Sequence, residues 1–365
     1  MEEKIDDQLC HLTEERVECP MELSLTADEA DEAEEADEAE EAGEADEDER
    51  VKSPVELSVC VLTAEEAEDP VELSVCLLIE DEAERVKSPP IEATKEELKL
   101  AELRSRELSG DQRSVDWLTQ RNNYITASTS AACAGLMGKA ARMNMIKEKV
   151  GLGKSFFGNV YTRKGNLFEP VTNMIYSKKT SKTIHMFNLI PADDPEWPFL
   201  GASTDGVTNT LENIEIKTLA RREITKIKRE YFHQMQHQMF CLGLTTSHFI
   251  EAKYDETFDP VEWREWRSNR VDRFSGAIVE LPDGTNVYSP IDEPAVELWA
   301  AAVADGRKVT YWVLTDYNCV TVDRDPTWIQ TTGPLLRTFW DDVLFYREHP
   351  EQVPMKEIKL DKCML

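Results

Sequence analysis

From Ile91 onward, apolar side chains return at helical spacing, and further along they return at every second residue. Residues 94–108 read as a polar helix and 114–123 as a second, with Ser114 as its N-cap. Residues 126–136 predict a third, small-residue helix opened by Thr126-Ala127-Ser128. Met143, Ile146 and Val150 share one face of a helix over 140–150. A glycine-rich loop at 151–158 separates it from a helix over 159–179. Strands are expected over 183–190, 199–208 and 213–218, the first two parted by a loop holding Pro191, Pro195 and Pro198. Residues 223–243 return to a helix broken near Glu230, and 247–254 to a strand. The order is α-β-β-β-α-β. Beyond it lie a strand pair over 277–288 turning at Pro282-Asp283-Gly284, a helix over 293–304 and a second strand pair over 308–322. A last helix over 335–347 carries the stripe Leu336, Phe339, Trp340, Val343 and Leu344. The pattern predicts an α/β (α+β) fold in which a central mixed β-sheet is flanked by helices.

The first 92 residues follow neither rhythm. Residues 15–24 (ERVECPMELS) return as 49–58 (ERVKSPVELS), 70–76 (PVELSVC) are a third partial copy, and 84–89 (ERVKSP) begin a fourth. Between them run Glu, Ala and Asp, longest over 27–49. Such runs repel themselves and bury little apolar surface, so a long disordered acidic tail is expected. The short Val-Glu-Leu-Ser units leave open a docking array for a partner. The expected organisation is a tail over 1–92, a folded domain over 93–350 with its core in 114–254, and a C-terminal tail over 351–365.

Net charge bears on function only after it is divided. The whole chain carries −31, which argues against a polyanionic partner. Residues 1–100 hold 36 acidic and 8 basic residues, a net of −28. Residues 101–365 hold 36 acidic and 33 basic, a net of −3, so the folded part has room for a basic groove. The eight cysteines form no CxxC clip and read as reduced thiols of an intracellular, soluble protein. The acidic start is unlike a signal peptide, and no apolar run has the length of a membrane span.

Candidate chemistry gathers in the strands. Asp205 and Glu215 are symmetric about Thr210, the middle of a turn over 208–212, so a hairpin closed there sets them face to face. Lys217, two residues after Glu215, projects from the same face. Two carboxylates and an ammonium there either form a surface salt-bridge ladder or hold a hard cation such as Mg²⁺ beside a water. Glu169 on the preceding helix either reaches that cation or is a solvated glutamate. Tyr231, Gln234 and Gln238 share one face of the next helix and offer hydrogen bonds, while Met235, Met239 and Leu242 lie on another. His233 and His237 stand at i, i+4, but Gln234 occupies the place where a zinc motif needs glutamate. Arg121 precedes a helix start bearing Thr126 and Ser128, which reads as an anion site or as an ordinary cap.

Five motifs in this order resemble one family. They are W-x3-R-x3-ITAS (Trp117 to Ser128), G-x3-E (Gly165 to Glu169), S-T-D-G (Ser203 to Gly206), E-I-K (Glu215 to Lys217) and Y-x2-Q-x-Q-x2-M (Tyr231 to Met239). Residues 114–254 resemble the lambda-exonuclease-like, or YqaJ-type viral recombinase, branch of the PD-(D/E)xK nucleases. The resemblance implies a restriction-endonuclease-like core and a Mg²⁺-dependent 5′→3′ exonuclease of double-stranded DNA, with Mn²⁺ as the expected substitute. It implies that Asp205, Glu215, Glu169 and the Ile216 carbonyl ligate the metal. It implies that Lys217 positions the attacking water, that Gln234 and Tyr231 support it, and that Arg121, Thr126 and Ser128 hold a 5′-phosphate. Thr204 stands where the family has proline. The resemblance also implies a single-strand annealing protein as partner and a homotrimer. The acidic tail either binds a basic partner or lies over the chain's own DNA cleft. An endonuclease or opposite-polarity nuclease of the same fold, a relative with a four-cysteine iron–sulfur cluster, and an inactive DNA-binding scaffold remain as alternatives. Cys133, Cys241, Cys319 and Cys363 are spread too far to announce such a cluster.

Overall fold

The first described turn is set by a capping box. Thr94 Oγ1 accepts from Glu97 N (3.1 Å), and the Glu97 carboxylate accepts from Thr94 N (2.8 Å). This opens helix α1, Lys95–Arg106. The computed structural model describes residues 93–109, 119–153, 160–220, 226–268, 274–291 and 296–354. The expected tail over 1–92, Ser114, Trp117, most of the glycine-rich loop and residues 355–365 lie outside the described residues.

A seven-stranded sheet carries the core. Its strands are β2 (Ile184–His185), β5 (Gly206–Thr208), β6 (Asn213–Leu219), β7 (Thr246–Asp255), β8 (Ser275–Glu280), β9 (Asn286–Tyr288) and β10 (Val309–Asp323). Their order is β2-β5-β6-β7-β10-β8-β9, with β6 and β7 parallel and every other pair antiparallel. A smaller sheet has the order β1-β4-β3, from Ile125–Thr126, Leu200–Ala202 and Ile190–Pro191.

Alternation along the strands sorts side chains onto two covers. Ile214, Ile216 and Ile250 meet Tyr176, and Ala252, Tyr254 and Trp312 meet Phe168, Val171 and Ile175. Those four residues belong to one long helix, Val160–Thr180. After α2 (Ser130–Cys133) and α3 (Lys139–Lys149) it is α4. The opposite face, through Val207, Phe249 and Val322, packs on Met235, Met239 and Leu242 of α5 (Arg229–Leu242). Gly243 ends α5 with φ +67°, its N–H turned back to the Met239 and Phe240 carbonyls. Helices α6 (Pro260–Ser268) and α7 (Val296–Ala304) cover the β8–β10 end, and α8 (Trp328–Glu348) packs on the small sheet. Among the described residues no helix is long and apolar enough to cross a membrane.

The mixed sheet with helices on both faces agrees with the expected class. Four local expectations are corrected. The single strands expected over 183–190 and 199–208 are each split between the two sheets. In place of the pair expected over 308–322 stands one fifteen-residue strand, Val309–Asp323; a bulge at Leu314/Asp316 lets it serve β8 with one half and β7 with the other. Residues 126–136 are not a helix but the end of strand β1, a 3-10 turn (Ala127–Thr129) and the four-residue α2. The closing helix begins at Trp328 and runs through Pro334.

Candidate active site

The hairpin joining β5 and β6 builds the site. Thr208 N donates to Glu212 O (2.9 Å), and Lys182 pairs with Glu212 (2.8 Å) to hold the turn. The ladder pairs Gly206 with Ile214 and Val207 with Asn213. One step further places Asp205 opposite Glu215, the register expected from symmetry about Thr210. Gly206 has φ +152°, and a Cβ there would stand 2.3 Å from Ile184 Cγ2, so the residue after Asp205 has to be glycine.

Asp205 is fastened from two directions. Its Oδ2 accepts from Ile216 N (2.7 Å), and its carbonyl accepts from Asn173 Nδ2 of α4 (3.0 Å). The N–H and C=O of one strand residue point the same way, so the Ile216 carbonyl faces the edge where Asp205 lies. Glu215 is 1% exposed. One of its oxygens meets Lys217 Nζ at 2.5 Å, and the other accepts from Gln238 Nε2 at 2.6 Å. Lys217 Nζ donates to Gln234 Oε1 (3.3 Å) and lies 4.9 Å from the centre of the Tyr231 ring.

Electrostatics separates the three charges. Burial, followed by the charges of Glu215 and Glu169, raises the Asp205 carboxyl well above the usual aspartate range, and Lys217 and the Ile216 N–H only partly oppose this. Burial lowers the Lys217 ammonium, but Glu215 and Asp205 outweigh it, so the lysine keeps its proton more firmly than in water. An aspartate pushed toward protonation by burial and by two other carboxylates is what a divalent cation would relieve, and oxygen donors are the kind a hard metal takes. Among the described residues no group of three His, Cys, Asp or Glu stands close enough to hold one. Half-buried Glu169 reaches Asp205 with its charge but does not close a three-carboxylate cluster.

Two positions were underrated by sequence reasoning. Gln238 is fully buried; besides Glu215 it donates to Ser203 O (3.1 Å), and it accepts from Asn213 Nδ2 (3.0 Å). Its signal was its place on the Tyr231–Gln234 face. Thr204, the departure from the family's proline, is a latch. Its hydroxyl lies 2.7–3.0 Å from Asn213 Oδ1, Gly206 O and Ile214 O, and accepts from Gly206 N (3.2 Å). It therefore ties both strands of the hairpin at the residue before Asp205.

The histidines and cysteines have other surroundings. His233 Nδ1 accepts from Trp328 Nε1 (3.0 Å), and the buried His237 ring packs against the same indole. Burial pushes His237 down to about 3. Cys133 and Cys241 are buried free thiols, and burial pushes Cys133 up to about 12, away from the thiolate that a metal cluster needs.

Arg121 and Thr126 are brought together: the guanidinium Nη2 donates to Thr126 Oγ1 at 3.2 Å. Ser128 lies exposed on the 3-10 turn. With only the four-residue α2 following, a helix N-terminus does not contribute to anion binding here. β1 pairs Thr126 with Gly201 of β4, and four residues after Gly201 comes Asp205.

The site thus sets carboxylates and a lysine on a hairpin of a mixed sheet, with an arginine–hydroxyl pair beside the neighbouring small sheet. Residues 116–248 match the model of the YqaJ-like viral recombinase domain. An uncharacterized protein of Acanthamoeba polyphaga mimivirus is 23% identical over 313 residues, 70% of this chain and 55% of the relative. The chain thus spans about half the length of that curated relative. Among solved structures, the alkaline exonuclease LHK-Exo from Laribacter hongkongensis is 21% identical. The match covers 66% of this chain and 97% of that one, with a TM-score of 0.42. A phage-related exonuclease from Haemophilus somnus is 14% identical over 63% of this chain and 96% of its own, with a TM-score of 0.35.

Proposed function

We propose that this chain is a divalent-metal-dependent deoxyribonuclease that digests double-stranded DNA from its ends, 5′ to 3′. The observation that carries the reading is half-buried Asp205 opposite buried Glu215, with Asp205 driven toward protonation and Lys217 held charged beside it. The YqaJ-like domain over 116–248 supports the same class.

Asp205, Glu215 and the Ile216 carbonyl would hold Mg²⁺ or Mn²⁺, with Glu169 on its α4 side. A cation there supplies charge neutralisation at the scissile phosphate and a more acidic water. The protein's own part is positional. Gln238 fixes one oxygen of Glu215 and so orients the carboxylate. Lys217, kept protonated, donates toward the attacking water or a phosphate oxygen. Gln234 and the Tyr231 ring restrict where the ammonium points. Arg121, with Thr126 and Ser128, receives the 5′-terminal phosphate. The same reading includes the folded domain over 93–350, a ring-forming homo-oligomer, a single-strand annealing partner, and an acidic segment over 1–92 that competes with DNA for the cleft.

The test uses linear duplex labelled at the 5′ or 3′ end, with Mg²⁺ or with EDTA. Expected is metal-dependent release of 5′ label as short products, lost in Lys217→Ala. Intact duplex under all metal conditions, or a Lys217→Ala variant that cuts like wild type, overturns the proposal.

A further inference from the structure

Asn173 stands well inside α4, one turn beyond Glu169 and on the same face. Asparagine is a poor helix former, because its amide competes for hydrogen bonds with the nearby backbone. Here the amide reaches away from the helix instead. Its Nδ2 donates to the Asp205 carbonyl at 3.0 Å and lies 3.8 Å from Met186 Sδ. A carbonyl oxygen and a thioether are both acceptors, so together they fix which end of the amide is nitrogen. The other end is therefore an acceptor. That atom, Oδ1, is buried, and among the described residues it has no hydrogen-bond partner. Burying an acceptor without a donor is costly. Holding the Asp205 carbonyl needs the nitrogen alone, so the oxygen calls for a reason of its own.

The surroundings say which donor suits it. The amide sits against the main chain of Asp205, and its neighbour on α4, Glu169, reaches Asp205 with its charge. Among the described residues no three His, Cys, Asp or Glu side chains close around one point. A cation at Asp205 would then keep part of its water shell, as Mg²⁺ does when one or two carboxylates hold it. Water on a divalent cation is a strong donor, and an amide oxygen accepts from it without adding another negative charge beside Asp205 and Glu215. We propose that Asn173 is a positioning residue of the metal site: its Nδ2 holds the Asp205 main chain, and its Oδ1 accepts a hydrogen bond from a water that the cation retains. This rests on the metal-dependent reading above.

The experiment follows the melting of the full chain, without DNA, from EDTA through rising Mg²⁺. The curves give a Kd for Mg²⁺ and show whether each variant folds without metal. Wild type is compared with Asn173→Leu, Asn173→Asp and Asp205→Asn. Expected is a Kd raised about tenfold in Asn173→Leu, the low end of what losing a partner outside the ligand set costs. Asn173→Asp keeps an acceptor and adds charge, so it should bind Mg²⁺ at least as tightly as wild type, although an ionised carboxylate cannot donate to the Asp205 carbonyl. If Asn173→Leu does not fold, Asn173→Ala, which also lacks the acceptor, carries the same expectation. A wild type that Mg²⁺ does not stabilise, or an Asp205→Asn variant that binds it equally well, overturns the metal reading itself. A wild type that binds through Asp205, with Asn173→Leu or the folded Asn173→Ala binding equally well, overturns the assignment alone. An Asn173→Asp variant as weakened as Asn173→Leu shows that only the hold on the Asp205 carbonyl matters, and overturns it too.

Discussion

Gln238 is the residue on which the site's rigidity depends most directly. Gln238→Leu keeps the approximate volume and removes both ends of the amide. Glu215, 1% exposed, then loses the 2.6 Å donor to one oxygen and keeps only Lys217 on the other. Asn213 Nδ2 loses its 3.0 Å acceptor, and Ser203 O loses its 3.1 Å donor. A hydrogen bond to a buried charge contributes about 1.5–3 kcal/mol and each neutral one about 1 kcal/mol. Asn213 Nδ2 still has Ser247 Oγ at 2.7 Å, which offsets part of its loss. The expected cost is therefore about 3–4 kcal/mol, or a fall of roughly 10 °C in Tm for a domain of this size. Urea unfolding followed by circular dichroism measures it, and a double-mutant cycle with Glu215→Gln isolates the charged part. Coupling between the two substitutions should be about 1 kcal/mol or more. A cost below about 1 kcal/mol, or strict additivity in the cycle, would refute the view that Gln238 holds the carboxylate.

Three further outcomes are expected. Gly206→Ala places a methyl against Ile184 and strains φ, so it should destabilise by about 2–4 kcal/mol in urea; a change within about 0.5 kcal/mol would contradict the close approach. His237 is neutral when folded, with its pKa pushed from 6.5 down to about 3. A depressed histidine makes stability fall as pH drops from about 6.5 toward 3, so His237→Leu should flatten that limb; equal pH slopes for variant and wild type would count against it. Mg²⁺ should stabilise wild type but not Asp205→Asn, by about 2.7 kcal/mol at a hundredfold excess over Kd, read as a rise in Tm. An equal rise in both would place the metal elsewhere.

The hairpin was readable before any coordinates because its information is local: symmetry about Thr210 fixes register, and period two fixes face. The same logic gave β6, β7 and the β8–β9 turn. It failed where partner choice decides. An apolar run over 183–190 reads the same whether one sheet or two receive it, and Asp316-Tyr317-Asn318 looks like a turn although it continues a long strand just past the bulge between Leu314 and Asp316. Helix α6 was missed despite an available signal. Asp259 caps it by accepting from Val261 N (2.8 Å) and Glu262 N (2.9 Å), and Pro260 opens its first turn. In the site, the charged residues were legible from spacing. Gln238 was legible as a hydrogen-bonding position but not as the partner of Glu215, and the role of Thr204 was not legible, because both satisfy buried partners and burial is a property of the assembled layers.

The small sheet has a consequence for scale. Thr126 and Asp205 are not carried by separate lobes that drift apart; one short strand, β4, bears the first through pairing at Gly201 and the second four residues along its own backbone. Under the proposed function, the span from a held strand end to the bond to be broken would be one rung of strand pairing plus four residues of backbone. Inserting residues between Gly201 and Asp205 should then change the size of the fragment released before it changes how fast fragments appear.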